Sequence, residues 1–177
     1  MMNKFVFTGL LLCLFSCATV QVNYDYDPDT DFSAYRTYNY FSDMETGLSN
    51  LDNQRLLDAV DSLMQVKGIK LSEEPEFLIN IQSQAYLKPQ NSSLGVGVGG
   101  TGSNVGGGVS VGVPLGGNAL ERELVFDFVD SQKNQLFWQA ITLSNLNEKA
   151  SPITRERKII EIVSKVFAKY PPVRKKP

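Results

Sequence analysis

Asp25, Asp27, Asp29 and Asp31 recur at every second position, the spacing of the first carboxylate ligands of a calcium loop. Such a loop also needs glycine at its sixth position and a bidentate glutamate at its twelfth. Counted from Asp25, those places hold Thr30 and Arg36, so the aspartates read as turn formers and helix caps around Pro28. Two further acid pairs, Glu121 with Glu123 and Asp127 with Asp130, would do acid–base work only in a shared cleft. A solvated strand end explains them more simply. Ser110 stands in Val109-Ser110-Val111-Gly112, outside any Gly-Xaa-Ser-Xaa-Gly elbow, and the chain has no histidine to activate it. The missing histidine also removes the commonest metal ligand. Glycines crowd residues 95–117, but no lysine occurs between Lys88 and Lys133, so the stretch is not a phosphate cradle. This inventory points to a protein that is not an enzyme and that carries no metal or cofactor.

The two cysteines, Cys13 and Cys17, both lie in the first seventeen residues. Lys4 gives a short basic start, and Phe5 to Phe15 is an apolar run broken only by Thr8 and Gly9. Eleven residues are too few for a helix crossing about 30 Å of hydrocarbon, which takes roughly 20, but suit a signal-peptide core. Leu14-Phe15-Ser16-Cys17 resembles the bacterial lipobox. That resemblance implies removal of residues 1–16, a diacylglyceryl group on the Cys17 sulfur and a further acyl chain (commonly palmitate) on the new amino terminus. Several acyl chains anchor firmly where one binds marginally. Ala18 follows, rather than the aspartate that retains enterobacterial lipoproteins at the inner membrane, so the resemblance implies the outer membrane.

Behind residues 17–19 the pattern is that of a folded domain, and 177 residues suffice for one. Val20, Val22, Tyr24 and Tyr26 alternate as one face of a strand. A helical turn is expected at Phe32 to Tyr35, then a strand over Arg36–Phe41. Leu56, Leu57, Val60, Leu63 and Met64 predict a helix from Asp52 or Asn53 to Lys67, with Gly68 as its C′ residue. A strand follows over Phe77–Tyr86. Eleven of the fourteen glycines and six valines fall within residues 95–117, which fits two thin strands, 95–99 and 107–113, or a glycine-rich disordered loop. Glu121–Val129 and Leu136–Leu143 form the clearest hairpin. Leu124, Phe126 and Phe128 share one face of its first arm. Either Phe137, Ile141 and Leu143 or Leu136, Trp138 and Ala140 continue that face in the second. The last helix, Pro152 or Ile153 to Lys169, presents Ile153, Ile159, Ile160, Val163, Val166 and Phe167, and Tyr170-Pro171-Pro172 ends it.

Two one-sided helices among hairpin-linked strands predict an α+β fold, a two-layer α/β sandwich. Its sheet is mainly antiparallel or mixed, with both helices on one face. The hairpin should lie near the middle of that sheet. Leu56, Val60, Leu63, Ile160, Val163 and Phe167 should pack on Leu124, Phe126 and Phe128. The domain spans 20–172, with a glycine-rich insertion at 95–117 and a short basic tail at 173–177.

Several strings occur in an order that resembles the bacterial lipoprotein family known as domain of unknown function 4136. They are Val22-Asn23-Tyr24-Asp25-Tyr26-Asp27, Asp31-Phe32-Ser33-Ala34-Tyr35-Arg36-Thr37-Tyr38, Val66-Lys67-Gly68-Ile69, Leu124 to Asp130, Leu136 to Ala140 and Tyr170-Pro171-Pro172. The resemblance covers about residues 20–172. It departs at Gln139-Ala140, where Gly-Xaa or Arg-Gly pairs are typical, and in a valine-glycine insertion where aromatic-glycine runs are common. It implies an envelope lipoprotein of α/β architecture without assigned catalytic residues.

Charge divides unevenly along the chain. Residues 149–177 carry nine Lys plus Arg against Glu156 and Glu161, whereas residues 18–148 carry seven against seventeen acids. The basic last helix either meets anionic headgroups or an acidic partner, or balances its own acidic domain. The expected function is a non-catalytic envelope lipoprotein, structural or adaptor in role, which touches the membrane through Cys17 and takes an envelope protein as partner, with no nucleic acid. The alternative is a binding module for a small molecule, lipid or glycan in a groove between sheet and helices, lined by Tyr24, Tyr38, Phe126 and Trp138.

Overall fold

The computed structural model describes residues 20–87, 93–94, 113–114 and 120–173. The order of elements is β1 (Gln21–Tyr26), a 3-10 turn (Phe32–Ala34), β2 (Thr37–Tyr40), α1 (Asn50–Val66), β3 (Lys70–Leu71) and β4 (Phe77–Leu87). Then come β5 (Ser93–Leu94), β6 (Val113–Pro114), β7 (Leu120–Asp130), β8 (Gln135–Leu146) and α2 (Pro152–Phe167). Six strands form one mixed sheet in the order β1-β8-β7-β4-β2-β3. β2 runs parallel to β3 and β4, and every other pairing in that sheet is antiparallel. This is the expected α+β fold, with the β7–β8 hairpin among the inner strands.

The core follows from strand periodicity. Phe77, Ile79 and Ile81 of β4, Leu124, Phe126 and Phe128 of β7, and Trp138 and Ala140 of β8 are all buried and alternate with less buried neighbours. The cross-strand partners Ile79 and Phe128, Ile81 and Phe126, and Phe128 and Trp138 bring these rows side by side. The helices cover that face: Leu56, Val60 and Met64 of α1 and Ile159, Ile162, Val163, Val166 and Phe167 of α2 join the same cluster.

Of the two readings for β8, Trp138 and Ala140 continue the buried row, yet Phe137 is buried as well. A register shift between Phe128 and Val129 explains both, because Val129 pairs with Leu136 while Phe128 pairs with Trp138. Phe137 is the extra residue of a bulge, which breaks the two-residue period. Its ring stacks on Tyr35 with centroids 4.2 Å apart.

Two expected core positions on α2 are corrected. Ile160 is 48% exposed and Ile153 is 62% exposed, whereas Ile162 is buried. The buried stripe runs 159, 162, 163, 166, 167, the i, i+3, i+4, i+7, i+8 pattern, and Ile160 lies one position off it. Leu63 is only half-buried, and Met64 fills the expected place on α1.

Local signals set the helix ends. Ser49 Oγ accepts from Asp52 N at 3.3 Å and Ser151 Oγ from Thr154 N at 3.3 Å, so both helices start on serine caps. Pro152 occupies the first turn of α2, where its missing N–H costs nothing. Gly68 closes α1 at φ +75° as expected. The ladder expected between 95–99 and 107–113 lies outside the described residues, apart from Val113, which with Pro114 pairs antiparallel with Ser93–Leu94. Cys17, Ser110 and Arg174–Pro177 also lie outside them.

Candidate functional site

The sequence's acidic candidates separate in space. Asp25 accepts from Tyr26 N at 2.9 Å, Asp27 from Asp29 N at 3.0 Å and Thr30 Oγ1 at 3.1 Å, and Asp31 from Ser33 N at 3.0 Å. These are turn and cap bonds to their own segment. Among the described residues no group of three His, Cys, Asp or Glu side chains is placed to hold a metal ion. Asp127 lies on the sheet face away from the helices, where it accepts from Gln139 Nε2 at 2.7 Å. Asp130 lies on the other face and accepts from Tyr35 Oη at 2.9 Å and from the amides of Gln132 and Lys133. Those two carboxylates do not share a cleft. Glu121 and Glu123, by strand parity, share the open face with Asp127.

The groove expected at Tyr24, Tyr38, Phe126 and Trp138 is absent: the last three are buried in the packed core and Tyr24 is 42% exposed. A mostly apolar opening lies elsewhere along the same layer. The buried rows turn polar toward one end of the sheet, where Arg122 follows Leu124 on β7 and Thr142 and Ser144 follow Ala140 on β8. Arg122 and Ser144 are cross-strand partners. There the first half of α2 and the first turn of α1 stand off the sheet and leave a cleft of about 370 Å³. Leu48, Leu124, Leu146, Ile159 and Ile162 give it mostly apolar walls.

Charges gather at its edge. Asp52, buried in the first turn of α1, is gripped by Arg55 Nη1 at 2.6 Å and Arg155 Nη1 at 3.0 Å. Arg155 also donates to the carbonyls of Ala150 and Glu148, tying the β8–α2 connection to α1. Burial by itself raises the Asp52 pKa, but the hydrogen bonds from Arg55 and Arg155, the Arg155 charge and Ser49 together bring it below the usual carboxylate range. Arg122 lines the same cleft, and its Nε is buried with no hydrogen-bond partner among the described residues. Burial, chiefly, lowers its pKa; Asp52 and Glu148 oppose that and Arg155 adds to it. The guanidinium stays charged all the same.

Other bases of the last helix find contacts within the domain. Lys158 and Lys165 reach Glu161 at 3.0 and 3.2 Å, and Lys169 sits 5.9 Å over the Tyr24 ring. A separate polar cluster joins β2 to α1: the hydroxyls of Tyr38 and Tyr40 both donate to Asp61 Oδ1, at 2.7 and 2.6 Å. Burial first, and then the Asp61 carboxylate, raises both phenol pKa values.

Reading residues by type missed Arg122 and Asp52. The available signal was positional: Arg122 keeps the parity of Leu124, Phe126 and Phe128, so a charge continues a core row.

Solved structures share this architecture at low identity. A single-site variant of the PelC dodecamer from Paraburkholderia phytofirmans aligns over 88% of this chain and 100% of its own, with 7% identity and a TM-score of 0.52. A second PelC dodecamer from that organism gives 8% identity and 0.51 over the same shares. A PDZ domain protein from Parabacteroides distasonis gives 12% identity and 0.56, covering 89% of this chain and 37% of that one. These likenesses concern the fold alone. No curated protein matches the chain. The model of the family described as domain of unknown function (DUF4136) matches residues 22–172, and the chain belongs to that family.

Proposed function

We propose that this chain is a non-catalytic, lipid-anchored protein of the bacterial cell envelope, held at the outer membrane through Cys17 and acting there as a structural or adaptor module. The observation that carries the reading is the position of Val20. Its side chain is buried and its carbonyl accepts from Lys165 Nζ at 3.4 Å, so the chain enters the fold only three residues after Cys17. An extended tether of that length spans roughly 10 Å at most. Acyl groups on Cys17 would therefore hold the Val20 end of the domain against the bilayer. Replacing Cys17 with serine tests this. Labelled palmitate should be lost and the protein should move to the soluble periplasmic fraction; label persisting on the variant would end the idea.

A second reading, a binding module working in the cleft between sheet and helices, is favoured by one observation: the mostly apolar cleft is lined by the charged side chain of Arg122.

A further inference from the structure

We propose that the Arg122 cleft binds a long-chain carboxylate, a single alkyl chain ending in one carboxyl group. This deepens the binding-module reading and rests on it.

Three features specify the class. The first is charge: around the buried Asp52 carboxylate stand Arg55, Arg122 and Arg155, one negative group against three positive ones. Arg157 and Lys158 also line the cleft, and Glu148 and Glu161 are the other nearby acids. Lys158 and Lys165 already engage Glu161. Partly buried positive charge in excess is costly without a counter-ion, and an anionic guest supplies one. The second is the head group. A guanidinium offers N–H donors in a planar fork that matches a carboxylate, and Arg122 brings one to the cleft wall, while its buried Nε has no acceptor among the described residues. The third is the wall. Leu124, Leu146, Ile159 and Ile162 offer an apolar track, and about 370 Å³ is near the small end of ligand pockets, ~300–1,000 Å³. That suits one chain rather than two.

The placement agrees. Gln21 pairs with Leu143 and Leu120 with Leu146, so the cleft opens at the end of the sheet where Val20 enters. With Cys17 acylated, that end faces the bilayer, a source of long-chain carboxylates.

The test is calorimetric titration of the full chain carrying Cys17→Ser, free of detergent, with dodecanoate, butanoate and dodecanol. Dodecanoate should bind at least about tenfold more tightly than either of the others, and Arg122→Gln should remove about tenfold of its affinity while leaving dodecanol unaffected. Ala150→Trp, which fills the cleft from the β8–α2 connection, should abolish binding of both. Equal affinity for dodecanoate and dodecanol would overturn the carboxylate assignment and leave the cleft as a binding site. Dodecanoate binding unchanged in Ala150→Trp would overturn both. If Arg122→Gln fails to fold, the comparison of the three ligands on the Cys17→Ser chain decides alone.

Discussion

Arg155 Nη1 donates to Asp52 Oδ2 at 3.0 Å across 103 residues of sequence. The bond fastens the first turn of α2 to the first turn of α1, at the end of the sandwich where the sheet leaves the cleft open. Arg55 approaches the same carboxylate from one turn along α1, so Asp52 holds the two helix starts together.

Asp52→Asn should therefore destabilise the domain by about 3 kcal/mol at neutral pH, the low end for breaking a buried pair. The pH dependence has a definite sign. The folded Asp52 carboxyl titrates below its unfolded counterpart, as does Asp130, which burial raises but the Lys133 amide, Tyr35 and the Gln132 amide lower further. A depressed carboxyl contributes stability that is fully present above the unfolded value, about pH 4. That contribution is lost as pH falls through the folded value. Urea midpoints for the parent should fall on acidification below about pH 4, and the gap between parent and Asp52→Asn should narrow there. A gap that widens toward acid would contradict the pairing.

The α2 stripe separates two neighbouring isoleucines. Ile162→Ala should cost about 2–5 kcal/mol, and Phe126→Ala about 3–5 kcal/mol, as for buried side chains generally. Ile160→Ala should stay within about 0.5 kcal/mol, the surface range. Denaturation midpoints that respond equally to the two isoleucine substitutions would show that the stripe is misplaced.

Two glycines with positive φ should differ in what they tolerate. Gly68, at φ +75°, has nothing within 4 Å of an added Cβ, so Gly68→Ala meets only the left-handed backbone cost of about 1–2 kcal/mol. Gly47, at φ +71°, would place a Cβ 3.0 Å from the Ser83 carbonyl oxygen, where the loop runs beside β4 and Thr46 O accepts from Ser83 N at 2.8 Å. Gly47→Ala should destabilise more than Gly68→Ala in the same thermal melt; the reverse order would refute the close approach.

The fold was readable because its elements obey simple periods. Leu124, Phe126 and Phe128 alternate, Leu56 and Val60 stand one turn apart, and Ser151-Pro152 and Gly68 mark helix ends. What was hidden is what periods cannot carry. The bulge at Phe137 depends on pairing with β7, so neither reading of β8 alone buried both Phe137 and Trp138. Ile160 and Ile162 are equally apolar, and only the angle at which α2 meets the sheet chooses between them. The cleft was less legible still. Asp52 reads as a helix-start acid and Arg155 as one of many bases until the chain folds and brings them within 3.0 Å. Only Arg122, a charge in line with a core row, carried a local signal, and reading by residue type passed over it.

The anchor is the claim on which the placement of everything else depends, and the intact mass of the mature protein purified from cell membranes tests it most directly. The expected species is a chain beginning at Cys17 with a blocked amino terminus, heavier than residues 17–177 alone by the mass of its acyl groups. An unmodified chain, or one that begins at any other residue, would contradict it.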